Sequence, residues 1–287
     1  MNNKFDMIDL HMHSTVSDGT DTPEEILEVV REAGFGAFSI TDHDAVKAAF
    51  AVRPLLREGD PLFIPGIELS CRDKGGKYHI LGYGIDPDAA PIREVVGFGH
   101  DIRMKKIRAR IEFLRSEFGF TFTDDEIDGI LSLDNPGKPH LGNLLVKHGY
   151  AESKEQAIKD FIDRCSPKSE YLSPKQAIEG IIGSGGIPVL AHPFYGSGDE
   201  LILGEEMENR LRRLIGSGLL GIEAFYSGFS GKLCRTALEL AERYGLFVTA
   251  GSDYHGKNKM VRPGDTGLDP QMDIPEGLNR FLKTFRE

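Results

Sequence analysis

An alternation of strand-like and helix-like segments is the feature that most constrains how this 287-residue chain can fold. Amphipathic helical patterns separate most of the strand-like runs. The seven runs cover residues 7–13, 37–41, 62–69, 78–83, 187–191, 221–225 and 246–250. The run at 187–191 is apolar throughout, as expected of a parallel strand that is covered on both faces. The alternation therefore predicts an α/β fold built from parallel βαβ units.

Capping residues mark several helix boundaries. The segment Thr22-Pro23-Glu24-Glu25 has the form of a capping box and predicts a helix that ends at Gly34. The same box in Ser173-Pro174-Lys175-Gln176 predicts a helix that ends at Gly183. Two more helices are predicted over residues 45–57 and 232–244.

One long stretch, residues 92–171, contains no convincing strand. Its pattern predicts helices over residues 92–118, 124–131, 139–148 and 154–164, with Thr123 and Ser153 as N-caps. We therefore predict an α/β barrel domain over residues 1–91 and 172–287, with a helical subdomain inserted over residues 92–171.

Composition limits the partners that the chain can bind. The formal net charge is −11, from 34 basic and 45 acidic residues, and this argues against stable binding to duplex nucleic acid. A small anionic substrate is compatible with this negative net charge, because bound divalent metals reverse the local charge. Cys71, Cys165 and Cys234 form no CxxC pair and are interpreted as reduced thiols.

The chain shows no sign of export or of membrane insertion. Met1-Asn2-Asn3-Lys4 leads directly into a strand-like run without a signal-peptide pattern. No apolar run approaches the roughly 18 residues that a membrane span needs. We therefore expect a cytoplasmic protein.

Six of the nine histidines lie near the ends of strand-like runs. The motifs there are His11-Met12-His13 (followed by Asp18), Thr41-Asp42-His43-Asp44, Ala191-His192-Pro193 and Gly251-Ser252-Asp253-Tyr254-His255, and Glu68 and His79 end or begin runs between them. Imidazole and carboxylate are ligands of first-row divalent metals, and histidines favour Mn, Fe or Zn over Mg or Ca. Nine such groups predict a multinuclear metal centre, which is typical of hydrolysis or phosphoryl transfer.

Some of these positions have alternative interpretations when they are taken singly. His11 and His13 are spaced to point to one side of a strand, so metal binding is favoured for that pair. Glu68 ends an apolar run and needs a partner, either a cation or a salt bridge. Asp18 fits a turn residue and His43 a core or surface histidine. Asp42 and Asp44 fit either acceptors for ligand histidines or a helix start.

Taken together and in this order, the motifs HxH, TDH, AHP and GSDxH resemble those of the polymerase-and-histidinol-phosphatase (PHP) superfamily of metal-dependent phosphoesterases. The resemblance covers nearly the whole chain. It implies a distorted (β/α)7 barrel, in agreement with the seven runs. The helical insert between His79 and His192 resembles small bacterial members, which include nucleoside 3′,5′-bisphosphate phosphatases and a 5′-to-3′ exoribonuclease.

The resemblance implies two or three divalent transition-metal ions (Mn, Fe or Zn). The implied ligands are His11, His13, Glu68 and Asp253 for the first ion, Glu68, His79 and His192 for the second, and Asp18, His43 and His255 for the third. Glu68 would bridge the first two ions.

The expected reaction is hydrolysis of a phosphate monoester of a small nucleotide, the 3′-phosphate of a nucleoside 3′,5′-bisphosphate, by hydroxide that the metals generate. Glu68, Asp253 and His255 are the predicted catalytic residues. Lys138 and His140 are predicted to bind substrate at a helix N-terminus, with a solvated loop and helix start as the alternative. Other functions left open are an exonuclease on short RNA, a histidinol-phosphatase-like enzyme and a non-catalytic metal-binding module.

Overall fold

The computed structural model describes residues 7–133, 135–167, 170–196, 201–269 and 273–286. Met1-Asn2-Asn3-Lys4, the segment predicted to lack a signal peptide, lies outside the described residues. The chain divides into two compact units. The first combines Met1–Val96 with Leu172–Glu287, and the second is Gly97–Tyr171.

Eight strands, all in the first unit, form two sheets among the described residues. The strands are β1 (Met7–Met12), β2 (Phe35–Ile40), β3 (Leu62–Phe63), β4 (Gly66–Asp73), β5 (Gly76–Tyr83), β6 (Ile187–Leu190), β7 (Gly221–Tyr226) and β8 (Phe247–Gly251). One sheet has the order β1-β2-β3 and the other β4-β5-β6-β7-β8.

The helices alternate with these strands as the sequence predicts for an α/β fold. In chain order they are α1 (Pro23–Glu32), α2 (Lys47–Val52), α3 (Ala90–Phe118), α4 (Asp124–Leu131), α5 (Lys138–Lys147), α6 (Lys154–Gln156), α7 (Pro174–Gly183), α8 (Gly204–Gly216), α9 (Gly231–Tyr244) and α10 (Glu276–Lys283). The predicted helix over residues 45–57 is shorter, and a tight turn over Arg53–Leu55 follows α2.

Two features of the sheets differ from the prediction. The run at 62–69 is two strands, because Pro65 lies between β3 and β4 and has no amide hydrogen for a sheet. In addition, β5 is antiparallel to both β4 and β6, whereas the strand–helix alternation predicted parallel units. The connection from β4 to β5 is a tight turn at Gly75 and Gly76, too short for the crossover that parallel strands need. The other pairs, β1–β2, β2–β3, β6–β7 and β7–β8, are parallel.

Both predicted capping boxes are confirmed. Thr22 Oγ1 accepts a hydrogen bond from the Glu25 amide at 3.2 Å, and Glu25 Oε2 accepts one from the Thr22 amide at 2.7 Å. At the start of α7, Ser173 Oγ accepts from the Gln176 amide at 3.3 Å and Gln176 Oε1 accepts from the Ser173 amide at 3.0 Å. These bonds satisfy amides that the first turn of a helix leaves without partners.

Main-chain hydrogen bonds join the strand ends that carry the polar motifs. The His13 amide donates to the Tyr254 carbonyl and the Asp253 amide to the His11 carbonyl, both at 2.8 Å. The Asp44 amide donates to the Glu68 carbonyl at 2.9 Å. The end of β1 is thereby fixed beside the end of β8, and the segment after β2 beside β4.

The second unit is helical, and its described residues contain no strand. Ile107, Ile111, Leu114, Leu141 and Leu145 form the centre of its apolar core. The predicted N-caps are confirmed. Thr123 Oγ1 accepts from the Glu126 amide at 3.3 Å, and Ser153 Oγ accepts from the Gln156 amide at 3.1 Å.

None of the helices formed by the described residues has the length and apolar character that crossing a membrane requires.

Candidate metal centre

All nine residues predicted to bind metal lie in the first unit, and Glu68 is at the centre of the cluster. Its side chain is fully buried in β4. Its Oε2 lies 3.4 Å from His11 Nε2, 3.3 Å from His13 Nε2 and 2.9 Å from His43 Nδ1. One carboxylate oxygen therefore faces three imidazoles.

The other oxygen of Glu68 faces two more imidazoles. Its Oε1 lies 2.8 Å from His79 Nδ1 and 3.2 Å from His192 Nε2, and the two imidazole nitrogens are 3.2 Å apart. The hairpin register explains why His79 lies beside Glu68, because Glu68 pairs with Leu81 and Ser70 with His79 across β4 and β5. Glu68 thus lies between the His11–His13 pair and the His79–His192 pair, and its role as a bridging ligand stays a prediction.

Asp253, Asp18 and His255 complete the cluster. Asp253 Oδ1 is 3.3 Å from His13 Nε2 and 3.6 Å from His11 Nε2. His255 Nε2 is 3.2 Å from Asp18 Oδ1, and its Nδ1 is 3.0 Å from the carbonyl oxygen of Asp253.

Within the part of the chain that the structure describes, three groups of ligand atoms are compact enough to hold an ion, with all atoms of a group within 4.8 Å of one another. They are His11 with His13 and Asp253, His43 with Glu68 and His79, and His13 with Asp18, His43 and His255. This grouping shares His13 and His43 between neighbouring groups, whereas the resemblance implies one ion for each. The assignment of ligands to individual ions stays a prediction.

The arrangement of donor atoms fits bound cations. His11 Nδ1 lies 2.9 Å from the acceptor Glu223 Oε1, which favours a hydrogen on Nδ1. In the neutral imidazole the lone pair of Nε2 then points at His13 Nε2, 3.1 Å away. Two nitrogens that each lie about 2.1 Å from one metal ion are about 3.0–3.4 Å apart. The buried atom His13 Nδ1 has no hydrogen-bond partner among the described residues. A divalent cation placed among these nitrogens and oxygens would be bound by several of their lone pairs at once.

Burial and charge oppose each other in this cluster. Burial lowers the pKa of His43, but the charges of Glu68 and Asp18 outweigh it and raise the pKa to about 10. Burial raises the pKa of Glu68, but the surrounding histidines bring it well below its usual range. Without metal, a proton on His43 offsets part of the carboxylate charge, so metal binding at this imidazole must displace that proton.

Sequence reasoning missed Glu223, which positions two of the candidate ligands. It is fully buried in β7. Its Oε1 accepts from His11 Nδ1, and its Oε2 accepts from the His192 amide at 2.7 Å. The available signal was an acidic residue inside the otherwise apolar run at 221–225.

Tyr226 and Lys259 were also missed, and both hold the outer oxygen of Asp253. Tyr226 donates its hydroxyl to Asp253 Oδ2 at 2.9 Å. Lys259 Nζ forms an ion pair with the same oxygen and lies 3.1 Å from the Tyr226 hydroxyl. With Oδ2 held in this way, Oδ1 is left to face His11 and His13.

Asp42 and Asp44 accept hydrogen bonds near the cluster and do not begin a helix, and their role as acceptors for ligand histidines stays a prediction. The buried carboxylate of Asp42 accepts from the Ser14 amide, the Ser14 hydroxyl and the Ser17 hydroxyl, each at 2.7 Å. Asp44 Oδ1 accepts from the Ser70 amide at 2.9 Å. Neither residue begins α2, which starts at Lys47 with Val46 as its N-cap. Asp42 instead fixes the turn that carries Asp18.

Lys138 and His140, the predicted substrate-binding residues, lie in the first turn of α5 in the second unit. Lys138 forms an ion pair with Asp163. His140 Nδ1 accepts from the Gly137 amide at 3.0 Å. These contacts agree with the helix-start alternative, and substrate binding by the two residues stays a prediction.

An α/β fold with imidazoles and carboxylates gathered at strand ends is typical of metal-dependent hydrolases. The model of the PHP domain family matches residues 9–244, and the chain belongs to that family. The prediction of a PHP-type metal-dependent phosphoesterase is thereby confirmed.

Three relatives with assigned activities cover most of the chain. A 5′-3′ exoribonuclease, Rnm, from Salmonella typhimurium is 34% identical over 97% of this chain and 94% of its own length. A phosphoribosyl 1,2-cyclic phosphate 1,2-diphosphodiesterase from Eggerthella lenta is 31% identical, with coverages of 87% and 94%. A 3′,5′-nucleoside bisphosphate phosphatase from Chromobacterium violaceum is 31% identical, with coverages of 91% and 90%.

Among solved structures, a protein from Bifidobacterium adolescentis that is assigned as a metal-dependent phosphoesterase superposes with a TM-score of 0.78. It is 27% identical to this chain, and the match covers 96% of this chain and 95% of that protein. An amidohydrolase structure from Chromobacterium violaceum, at 24% identity and a TM-score of 0.77, shares the fold.

Proposed function

We propose that this protein hydrolyses a phosphate monoester of a small nucleotide. The group released is the 3′-phosphate of a nucleoside 3′,5′-bisphosphate. The observation that supports this most strongly is the convergence of five imidazoles on the two oxygens of the buried Glu68, within 2.8–3.4 Å. A site of this kind suits two or more cations and an anionic phosphate, and the similarity to a bisphosphate phosphatase supports the proposed substrate class.

The proposed cofactor is a set of two or three divalent ions, Mn, Fe or Zn, because six imidazoles favour these metals over Mg and Ca. When bound, they supply Lewis acids for the phosphoryl oxygens and lower the pKa of a water molecule. The proposed ligands are His11, His13, Asp18, His43, Glu68, His79, His192, Asp253 and His255.

Three of the ligands are also the proposed catalytic residues. Glu68 bridges the two sides of the site with its two oxygens. Asp253 presents Oδ1 to the site because Tyr226 and Lys259 hold Oδ2. His255 lies between Asp18 and the Asp253 main chain, so its imidazole is held in one orientation.

We further propose that the two sheets belong to one distorted (β/α)7 barrel. The main-chain hydrogen bonds between His13 and Tyr254, and between Asp44 and Glu68, support this closure. The second unit is proposed to set substrate specificity, with Lys138 and His140 as substrate-binding residues.

A cytoplasmic location is proposed from the three free cysteines, since disulfides mark oxidising compartments. The acidic net charge supports a small nucleotide as the partner rather than duplex nucleic acid.

A substrate panel tests the proposal. The protein is stripped of metal, reloaded with Mn²⁺, Fe²⁺ or Zn²⁺, and given a nucleoside 3′,5′-bisphosphate, a 3′-monophosphate, a cyclic ribose phosphate and a short 5′-phosphorylated RNA. We expect metal-dependent phosphate release with the highest kcat/KM for the bisphosphate. Glu68→Gln should abolish this activity, while Glu239→Gln, at an exposed position, should retain it. No activity with any metal would overturn the proposal, and preferential RNA degradation would assign the exoribonuclease activity instead.

A further inference from the structure

A second polar pocket adjoins the candidate metal centre within the first unit. It has a volume of about 230 Å³ and lies next to His79 and His192. Its lining also includes Lys77, Tyr78, Tyr195 and Arg210. A group bound here would be beside two candidate metal ligands.

Arg210, in α8, is the unusual member of this lining. Its side chain is buried, with 4% of the residue exposed. Its guanidinium donates to the carbonyls of Gly75 at 2.7 Å and Lys77 at 3.4 Å, and its carbon lies 4.6 Å from the centre of the Tyr78 ring. No carboxylate of the described residues forms an ion pair with it, and its Nε has no hydrogen-bond partner. A buried charge without a counter-ion is costly and calls for an anionic partner.

The dimensions and chemistry of the pocket limit what that partner can be. Sites that enclose a whole small molecule have volumes of about 300–1,000 Å³, so this pocket suits a single group. The planar guanidinium matches the oxygens of a phosphate or carboxylate. Lys77 is exposed at the pocket and adds positive charge. A nucleobase would leave Arg210 without a counter-ion, whereas a phosphoryl group would provide one.

We propose that this pocket binds the second phosphate of the substrate, the one that is not hydrolysed, with Arg210 as its recognition residue. This inference rests on the proposed function, since it places one phosphate at the metals and the other beside His79 and His192. It assigns recognition of the second phosphate to Arg210 in the first unit. The sequence analysis instead predicted that Lys138, in the second unit, binds substrate. The competing explanation is that Arg210 serves only to hold the Gly75–Gly76 turn through its carbonyl contacts.

The test compares substrates with and without a second phosphate. Wild-type protein and Arg210→Met, both loaded with Mn²⁺, are assayed on a nucleoside 3′,5′-bisphosphate, the 3′-monophosphate and p-nitrophenyl phosphate. We expect wild type to prefer the bisphosphate over the 3′-monophosphate, mainly through KM. Arg210→Met should reduce that preference by about 10- to 100-fold, as expected for the loss of a charged hydrogen bond. Arg212→Met is the matched control, because Arg212 lies on the same helix but contacts Glu208 and Tyr244 at the surface.

Each other outcome has a defined meaning. Equal losses on all substrates would overturn the pocket assignment and leave the proposed function intact. A wild type without preference for the bisphosphate would overturn the pocket assignment and the proposed substrate, but not the phosphoesterase activity. Absence of hydrolysis of every ester, including p-nitrophenyl phosphate, would overturn both. If Arg210→Met does not fold, Lys77→Glu reverses an exposed charge at the same pocket. It should raise KM for the bisphosphate at least threefold more than for p-nitrophenyl phosphate, and equal KM changes would contradict the proposal.

Discussion

Replacing Glu223 by Gln is the most direct test of how the metal ligands are positioned. The carboxylate accepts two hydrogen bonds, at 2.9 Å from His11 Nδ1 and at 2.7 Å from the His192 amide. Gln has the same shape but only one acceptor oxygen, so its NH₂ group must face one of the two donors. If it faces His11, the imidazole must move its hydrogen to Nε2 and lose the lone pair that points into the site. If it faces His192, two N–H groups oppose each other.

The expected magnitude follows from these two contacts. A hydrogen bond to a charged group contributes about 1.5–3 kcal/mol, which corresponds to about 10- to 150-fold in an equilibrium constant. Loss of a residue that orients a metal ligand reduces metal affinity about 10- to 100-fold. We therefore expect the Kd for Mn²⁺ or Zn²⁺ to rise by about 10- to 100-fold in Glu223→Gln. Fold and secondary structure should be retained, because the side-chain volume is unchanged.

The assay is competition with a chelator of known affinity, combined with measurement of metal content in the purified protein. Glu239→Gln serves as the control, because Glu239 is exposed on α9 and changes charge by the same amount. A metal Kd within threefold of wild type in Glu223→Gln would refute the positioning role, whatever the effect on kcat.

Three further predictions concern stability. Gly251→Ala should reduce the free energy of unfolding in urea by about 1–3 kcal/mol, because the added Cβ would lie 2.2 Å from His11 Cβ and 2.5 Å from Glu223 Oε1. Gly97→Ala is the control and should cause no such loss, because nothing lies within 4 Å of its added Cβ. Removal of metal by a chelator should lower Tm, because metal at 1,000 times its Kd contributes about 4 kcal/mol to the folded state; an unchanged Tm would argue against a metal centre. Contacts with Lys147, Thr123 and His148 lower the pKa of Glu126 from 4.5 to about 2, so the second unit should lose stability as pH falls from 4.5 towards 2. Glu126→Gln should make the stability of the second unit, measured by hydrogen exchange, depend less on pH. The same pH dependence in wild type and Glu126→Gln would contradict the prediction.

Local patterns allowed much of the candidate site to be predicted from sequence. The i, i+2 spacing of His11 and His13 places both imidazoles on one face whatever the rest of the chain does. Glu68 ends an apolar run, so a buried partner was required before any neighbour was known. The capping boxes at Thr22 and Ser173 depend on residues three positions apart and are likewise local.

The contacts that were missed depend on residues far apart in the chain. Glu223 lies 212 positions from His11, and only the strand order brings the two together. Its location in an apolar run indicated a partner without indicating which one. Lys259 follows the last motif in a segment without periodicity, so nothing in its neighbourhood indicated a contact with Asp253.

The antiparallel position of β5 had a signal that was misinterpreted. Parallel pairing follows from helices between strands, but Gly75 and Gly76 leave room only for a hairpin. Glycine at position 76 has φ +117°, and an added Cβ there would lie 2.8 Å from Arg210 Nη2. The turn and the buried guanidinium therefore constrain each other.

The joining of β1 to β8 has a consequence for biosynthesis. The Ser252 amide donates to Asp9 Oδ1 across 243 positions of the chain, so the earliest and the latest of the candidate ligands meet only after the segment from Asp9 to Ser252 has left the ribosome. At about 5–20 residues per second, that interval is about 12–50 s. During it, His11 and His13 are available to metals or to chaperones without Asp253 beside them. A nascent chain stalled before Ser252 should therefore hold metal more weakly than the released protein.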